Sequence, residues 1–329
     1  MRKIVVATHG HCFDGMCSAV MFTRLYRHLN PAAELAFEYR GMGYGPGSNG
    51  VDPAVLSGED NVILDFRFST SPKLTWYFDH HVSAFPSAED KATYEARAVG
   101  EGAARHMFHD GAYGSCTKLI ADVGRERFGL GAEDPQVATL VKWADMIDSA
   151  SFPSAQMAVD RAEPVLQLMT VVEHHGDDAF LAKMVPRLLA EDIDVVARDP
   201  AVQEAYAPLA AQNGAFAEMV KKHAKLVGDG RVVLVDLGDE NVEVATKFVT
   251  YSLWPESAYS VVLSRSKTKV KISIGYNPWS NVRRTHDIAR ICERHGGGGH
   301  PVVGAISLPA DALARARQIA ESVSAELAT

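Results

Sequence analysis

The chain has 329 residues, of which 47% are hydrophobic and 22% charged, and it carries a formal net charge of −8. This length favours two soluble domains, and the acidic charge disfavours binding of long nucleic-acid duplexes while allowing a small anionic substrate. The sequence shows neither the roughly 18 consecutive apolar residues of a membrane helix nor a secretory signal, so we expect a cytoplasmic protein without a membrane partner. Its four cysteines form no C-x-x-C pair, which disfavours a structural zinc site.

The first half of the chain alternates strand-like and helix-like segments. Apolar runs predict strands at 3–8, 61–66 and 74–78, and helical spacing predicts helices at 16–29, 115–128 and 136–147. Ser115 is a suitable N-cap for the second of these helices. This alternation favours a mainly parallel sheet flanked by helices.

The second half begins with a helical pattern and then returns to strands. Residues 156–228 show periodic apolar residues interleaved with charge and almost no strand signal, which predicts a helical connector. Strand signals follow at 231–237, 260–264 and 269–276, with helices expected at 243–253, 286–295 and 310–327. We therefore predict an α/β fold in three parts: an N-terminal domain (1–155), the connector (156–228) and a smaller α/β domain (229–329) that contains a glycine-rich loop.

Aspartates and histidines cluster where the predicted strands and one helix end. The four clusters are residues 9–14, Asp65, residues 79–81 and residues 145–148. Ligands of an open parallel sheet bind beyond the carboxyl ends of its strands, so we expect these side chains to converge. Several carboxylates share a small site only with cations, and mixed His and carboxylate ligands suit Mn²⁺ or a similar ion. Two ions ~3.5–4 Å apart can polarise a phosphoryl group and supply hydroxide at neutral pH.

Each cluster taken alone also has a structural explanation. An aspartate before a glycine is typical of a turn, and acids at the ends of strands and helices can be caps or solvated charges. The sequence Asp79-His80-His81 is harder to explain in this way, because it brings one acid and two imidazoles into a single loop. The pair His174-His175 lies in the predicted connector, away from any strand-end acid, and we interpret it as a solvated helix end.

Four consecutive glycines at 296–299, followed by His300, lie between a predicted helix and an apolar segment. Glycine lets backbone N–H groups approach an anion closely, and His300 can add a donor to a phosphate. A flexible linker is the alternative, but the flanking elements favour a packed turn. Arg265 follows a predicted strand and is a candidate phosphate clamp, because its guanidinium is planar and bidentate; a surface charge is the alternative.

Together, Asp79-His80-His81 and the glycine run with His300 resemble the DHH phosphoesterase superfamily with its DHH-associated C-terminal domain. That superfamily includes RecJ-like exonucleases, short-oligonucleotide phosphatases, cyclic-dinucleotide phosphodiesterases and exopolyphosphatases. The resemblance spans most of the chain and implies an active site in the cleft between the two α/β domains. It implies catalytic roles for Asp79 and His81. The other implied site residues are the metal ligands His9, Asp14, Asp65, His80 and Asp145 and the substrate contacts Arg265, Gly297, Gly298, Gly299 and His300.

One position departs from the family pattern. Where the first family motif carries an earlier aspartate, this chain has Cys12, two residues before Asp14. The ion at that position either binds weakly or takes an imidazole as a replacement ligand, with His9 the better candidate and His11 the weaker one. The sequence assigns no role to Asp148.

The resemblance implies hydrolysis of a phosphodiester or phosphomonoester bond in a small nucleotide or a short single-stranded oligonucleotide, by water activated at two divalent ions. Mn²⁺ is the expected metal, with Mg²⁺ or Co²⁺ as alternatives, and a homodimer is compatible with the sequence. An exopolyphosphatase or pyrophosphatase would apply the same chemistry to a bare phosphate chain. A nucleotide-binding homologue with weak catalysis is the alternative of a different class, and Cys12 keeps it open.

Overall fold

A computed structural model describes residues 1–44, 50–99, 106–131, 134–240, 242 and 247–329. The chain forms two compact units: unit 1 comprises Met1–Ser151 and Ala162–Leu209, and unit 2 comprises Phe152–Arg161 and Ala210–Thr329. Most residues predicted as a connector therefore belong to unit 1, and the limits of the units differ from the boundaries predicted at 155 and 228. None of the described helices is long and apolar enough to cross a membrane.

Unit 1 is built on a five-stranded sheet with the strand order β2-β1-β3-β4-β5. The strands are β1 (Arg2–His9), β2 (Leu35–Met42), β3 (Asp60–Leu64), β4 (Trp76–Asp79) and β5 (Met107–His109). Every neighbouring pair is parallel, which confirms the mainly parallel sheet. The central strands β1, β3 and β4 carry runs of buried side chains, as is typical of parallel strands covered on both faces.

Helices connect and flank these strands. In chain order they are α1 (Phe13–Leu29), α2 (Ala88–Ala98), α3 (Cys116–Phe128), α4 (Pro135–Asp148), α5 (Ala155–Asp160, in unit 2), α6 (Pro164–His175), α7 (Asp178–Ala190), α8 (Ile193–Ala197) and α9 (Pro200–His223, which spans both units). Helices α6 and α7 belong to unit 1 because they pack against α1. The predicted cap of α3 is confirmed, since the Ser115 hydroxyl accepts the N–H of Lys118. Helix α1 begins three residues earlier than predicted, so Asp14 lies in its first turn.

Unit 2 contains a six-stranded mixed sheet with the order β10-β11-β9-β8-β7-β6. Its strands are β6 (Ala224–Val227), β7 (Val232–Leu237), β8 (Tyr259–Arg265), β9 (Lys269–Tyr276), β10 (Gly298–His300) and β11 (Val303–Pro309), and its later helices are α10 (Lys247–Leu253), α11 (Ile288–Glu293) and α12 (Leu313–Leu327). Strands β7 and β8 are parallel, and the other neighbours are antiparallel. The smaller C-terminal α/β part is thus confirmed, whereas residues 243–246 of the predicted helix at 243–253 lie outside the described residues.

Candidate metal centre

Three loops of unit 1 meet where the neighbouring strands β1, β3 and β4 end. The register aligns Thr8, Leu64 and Phe78 across the sheet, and each is followed directly by a site residue: His9, Asp65 and Asp79. Asp65 has a left-handed φ of 54°, a conformation that is rare for residues other than glycine and frequent at functional sites. Its N–H donates to the carbonyl of Phe78 at 2.9 Å, which holds this loop against β4.

Asp65 is fully buried, and its two carboxylate oxygens face two different sets of side chains. Oδ2 lies 3.5 Å from His9 Nδ1 and accepts a hydrogen bond from the thiol of Cys12, also at 3.5 Å. Oδ1 lies 3.5 Å from His80 Nε2 and 3.7 Å from His81 Nδ1. A carboxylate placed in this way can bridge two cations, one on each side.

Three buried polar atoms of this cluster have no hydrogen-bond partner within the described residues: His9 Nδ1, Asp65 Oδ1 and His80 Nε2. A buried polar group without a partner costs about 1–3 kcal/mol, so native proteins seldom leave several together. The three residues also belong to overlapping groups whose possible ligand atoms, one from each residue, lie within 4.8 Å of one another. Their unused bonding capacity fits the binding of divalent metal ions.

A further group consists of Asp14, His80 and Asp148. His80 Nδ1 lies 3.0 Å from the carbonyl oxygen of Tyr113 and donates its proton to it, so Nε2 is the nitrogen that can bind a metal. Nε2 lies 3.0 Å from Asp148 Oδ2, without hydrogen-bond geometry, and 4.0 Å from Asp14 Oδ2. This group therefore supplies two carboxylates and one imidazole on the Oδ1 side of Asp65.

Asp14 is buried against the N-terminus of helix α3. Its two carboxylate oxygens accept the backbone N–H groups of Cys116 at 2.7 Å and Thr117 at 3.1 Å. The partial positive charge of a helix N-terminus offsets part of the carboxylate charge. Each oxygen keeps a second lone pair for a cation, so the helix orients Asp14 without saturating it.

Asp79 orients the two histidines that follow it. Its Oδ1 accepts the backbone N–H of His80 at 2.9 Å and the imidazole Nδ1–H of His81 at 2.7 Å, and its Oδ2 accepts the hydroxyl of Tyr77 at 3.0 Å. Both oxygens of this buried carboxylate are therefore engaged within the protein. The side chain of His81 is 34% exposed and keeps Nε2 as its second ring nitrogen.

The crowded charges shift several pKa values. Burial alone raises the pKa of Asp65, but the imidazoles of His80 and His9 outweigh burial and lower this pKa to about 2. Burial and the carboxylates of Asp65 and Asp148 raise the pKa of Asp14 well above its usual range. Burial lowers the pKa of His80, yet Asp148 and Asp65 raise it to about 11. Three carboxylates thus share one small volume, and added cations would stabilise them.

The last two glycines of the run in unit 2 belong to the edge strand β10, so the run is not a linker. Strand β10 pairs with β11 in antiparallel register, and a Cβ atom added to Gly297 or Gly299 would lie only 2.2 or 2.3 Å from a carbonyl oxygen of β11. Close strand packing therefore requires both glycines. A Cβ atom on Gly298 would meet no described atom within 4 Å, and His300 is exposed, so a ligand can approach these two residues.

Arg265 lies at the other end of this sheet, and the structure does not bring it to the glycine run. It ends β8 beside the β8–β9 turn, whereas His300 pairs with Val303 at the opposite end of β11. About five residues of extended strand, or about 17 Å along the strand direction, separate these two ends. Arg265 borders a cavity of about 320 Å³ with Lys267, and its role as a phosphate clamp stays a prediction.

The fold has counterparts among solved structures. They include the pGpG-specific phosphodiesterase PggH from Vibrio cholerae, with a TM-score of 0.65, 16% identity and coverage of 99% of both chains. An exopolyphosphatase-related protein from Bacteroides fragilis has a TM-score of 0.52 and 14% identity, over 100% of this chain and 94% of that one. RecJ from Thermus thermophilus, in complex with Mn²⁺, has a TM-score of 0.50 and 14% identity, over 99% of this chain and 52% of RecJ. No protein-family model and no curated protein sequence matches the chain.

At these identities the likeness establishes the fold. The chain has the DHH fold. The resemblance drawn from the sequence is thereby confirmed at the level of fold, and this chain spans about half the length of RecJ. The sequence Asp79-His80-His81, for which the fold is named, begins at the last residue of β4 and enters the centre described above.

The acid of helix α4 that joins the centre of this DHH fold is Asp148. Asp145, the ligand implied by the resemblance, lies 3.4 Å from the ammonium of Lys118 and 3.5 Å from the hydroxyl of Ser115. Within the described residues it belongs to none of the groups that could hold a metal, whereas Asp148 belongs to one together with His80. The sequence placed both acids in one cluster, but choosing between them requires the rotation of the last turn of α4.

Of the two histidines considered as replacements near Cys12, the structure brings His9 into the centre and leaves His11 outside it. His11 lines a separate cavity of about 510 Å³, where His174 also lies. The sulfur of Cys12 itself lies in the group that contains His9. Sequence reasoning treated Cys12 only as a missing carboxylate and overlooked its thiol as a donor.

Proposed function

We propose that this protein is a phosphoester hydrolase that binds two divalent metal ions in unit 1. The observation that carries the proposal is the buried carboxylate of Asp65, whose two oxygens face two separate sets of donor atoms. The fold supports the same class of activity, because PggH is a phosphodiesterase specific for pGpG and RecJ was solved with Mn²⁺.

The two sides of Asp65 divide the metal ligands. His9 lies on the Oδ2 side, and Asp14, His80 and Asp148 lie on the Oδ1 side. Divalent ions held by these residues would neutralise charge at a phosphoryl group and would activate a water molecule at neutral pH. The carboxylate-rich ligands of the Oδ1 side suit Mn²⁺ or Mg²⁺, and we expect Mn²⁺.

We assign proton transfer to His81, positioned by Asp79. The Nδ1–H of His81 donates to Asp79 at 2.7 Å, which fixes the ring and leaves Nε2 as the nitrogen that can exchange a proton. Its partial exposure gives a substrate access to the ring. In this role His81 donates a proton to the leaving oxygen of the phosphoester.

The substrate that fits is a small nucleotide or a short single-stranded oligonucleotide. The net charge of −8 disfavours a long polyanion, and the exposed hairpin of unit 2 offers the backbone of Gly298 and the imidazole of His300 to one phosphate. The predicted cleft between the two α/β domains and the homodimer stay predictions. Hydrolysis of polyphosphate or pyrophosphate is the second candidate, because one protein of similar fold is exopolyphosphatase-related.

The test is a turnover panel with protein that has been stripped by a chelator and reloaded with Mn²⁺. The panel contains pGpG, pAp, cyclic dinucleotides, short RNA and DNA, and polyphosphate. We expect release of a nucleotide or phosphate from a nucleotide substrate with Mn²⁺ and none in excess EDTA. Full turnover in excess EDTA would overturn the metal-dependent mechanism, and turnover of polyphosphate alone would favour the second candidate.

A further inference from the structure

Cys12 occupies the N-cap position of α1 but does not cap this helix. Ser, Thr, Asp and Asn are favoured at an N-cap because their side-chain oxygen accepts a free N–H of the first turn. The side chain of Cys12 makes no such bond, and its thiol donates instead to Oδ2 of Asp65 at 3.5 Å. Helix α1 thus has no side-chain cap at this position, and the sulfur atom of Cys12 points into the candidate metal centre.

The sulfur of Cys12 completes a set of three donor atoms. His9 Nδ1, the Cys12 sulfur and a carboxylate oxygen of Asp65 lie within 4.8 Å of one another, and the nitrogen of His9 has no hydrogen-bond partner among the described residues. Zinc is bound in proteins by Cys sulfur, His nitrogen and carboxylate oxygen, and its catalytic sites use three protein ligands with one position left open. The opposite side of Asp65 offers His80 with the carboxylates of Asp14 and Asp148, and no sulfur belongs to that group.

We propose that the Cys12 thiolate is a ligand of the ion on the His9 side of Asp65, and that this position selects a thiophilic divalent ion over Mn²⁺ and Mg²⁺. The inference rests on the proposed two-metal function. Soft thiolate ligands favour Zn²⁺ and similar ions, whereas carboxylates suit Mn²⁺ and Mg²⁺, so the two sides of Asp65 hold chemically different ions.

Metal binding at this position would replace the thiol proton of Cys12 with the metal ion. The S–H bond of Cys12 breaks, its proton passes to solvent, and a sulfur–metal bond forms. Oδ2 of Asp65, which accepts the thiol hydrogen in the structure, is released at the same time and becomes a ligand. The same atoms therefore hold the loop together before the ion binds and hold the ion afterwards.

The test is a Co²⁺ titration of the full-length, chelator-stripped protein, followed by absorption in the near ultraviolet, where thiolate-to-cobalt charge transfer is seen. We expect a band that saturates at one equivalent of Co²⁺ and is lost in Cys12→Ser. Cys292→Ser, the same change at a buried cysteine of unit 2, is the matched control and should keep the band. In Cys12→Asp, the preference for Zn²⁺ over Mn²⁺ should fall at least about ten- to a hundredfold. Metal affinity falls by this factor even when the mutated residue only supports a metal ligand through a hydrogen bond.

A measurement on the unmodified protein covers the case in which a variant does not fold. Bound Zn²⁺ should protect Cys12 from alkylation, as mapped by mass spectrometry, whereas Mn²⁺ should not. Two bound Co²⁺ ions without a charge-transfer band, or a band that persists in Cys12→Ser, would overturn the thiolate ligand while leaving the proposed hydrolase intact. A cysteine-dependent band in a protein that hydrolyses no phosphoester with any metal would support the ligand and overturn the hydrolase.

Discussion

In unit 1, Asp14, Asp65 and Asp79 are at most 1% exposed, whereas in unit 2 the three residues of β10 are all exposed. The cluster of unit 1 brings together side chains from several loops, and some of its buried polar atoms have no hydrogen-bond partner among the described residues. The region around β10 is a local hairpin, and its glycines allow the two strands to pack closely. Unpaired buried groups destabilise a fold unless a ligand completes them. The comparison supports the proposal that the cluster of unit 1 binds metal ions, and it shows that backbone pairing and close packing account for the glycines of the unit 2 hairpin.

Asp65→Asn should have the largest effect of the substitutions that test this comparison. Asparagine tolerates a left-handed φ about as well as aspartate, so the loop should keep its conformation. A neutral amide cannot bridge two cations, and metal stabilisation of a phosphoryl group is worth several kcal/mol, or about a thousandfold or more in kcat/KM. Metal content by mass spectrometry and kcat/KM should fall together, with circular dichroism as the folding control. A variant that binds two ions normally would show that Asp65 is not the bridge.

A smaller effect should separate the two acids of α4. Asp148→Asn removes a carboxylate 3.0 Å from His80 Nε2 and should weaken binding of one ion about ten- to a hundredfold or more. Asp145→Asn is the matched control, because Asp145 lies beside the ammonium of Lys118, and metal affinity should stay at the wild-type level. Metal titration of both variants measures the difference. A larger loss of metal affinity in Asp145→Asn than in Asp148→Asn would show that Asp145 is the ligand, as the family resemblance implies.

The parts of the fold that the sequence predicted best are those with a continuous buried pattern. Strands β1, β3 and β9 were predicted to within two residues at either end, because each is a run of apolar or alternating residues. Strand β2 is only half-buried, helix α2 has no buried residue and β5 has three residues, so none of them carries a strong periodic signal. The docking of α6 and α7 onto α1 depends on long-range packing, which local periodicity does not encode.

The candidate site likewise contains features that the sequence predicts and features that it does not. Strand ends could be located from the sequence, and the structure brings His9, Asp14, Asp65 and His80 together there. The choice of Asp148 over Asp145 depends on the rotation of a helix end, which a sequence does not specify to one residue. The separation of Arg265 from His300 follows from the pairing order of β8, β9 and β11, and a single sequence leaves that order open.

The smallest predicted effect belongs to unit 2. His300→Ala removes an exposed imidazole that belongs, among the described residues, to none of the groups that could hold a metal, so both ions should stay bound. A lost hydrogen bond to a charged phosphate is worth about 1.5–3 kcal/mol, or about ten- to a hundredfold in kcat/KM. Steady-state kinetics on the best substrate of the panel, together with metal content, measure the two quantities separately.

Arg265→Ala is the matched control for His300→Ala, because it removes a charged side chain from the opposite end of the same sheet. Its kcat/KM should stay within about twofold of the wild type, as expected for a substitution at an exposed position. Equal losses in the two variants would mean that one substrate reaches both ends of the sheet, as a longer oligonucleotide can. Loss of metal in His300→Ala would instead contradict the assignment of metal binding to the buried cluster of unit 1 and of a substrate contact to the exposed hairpin of unit 2.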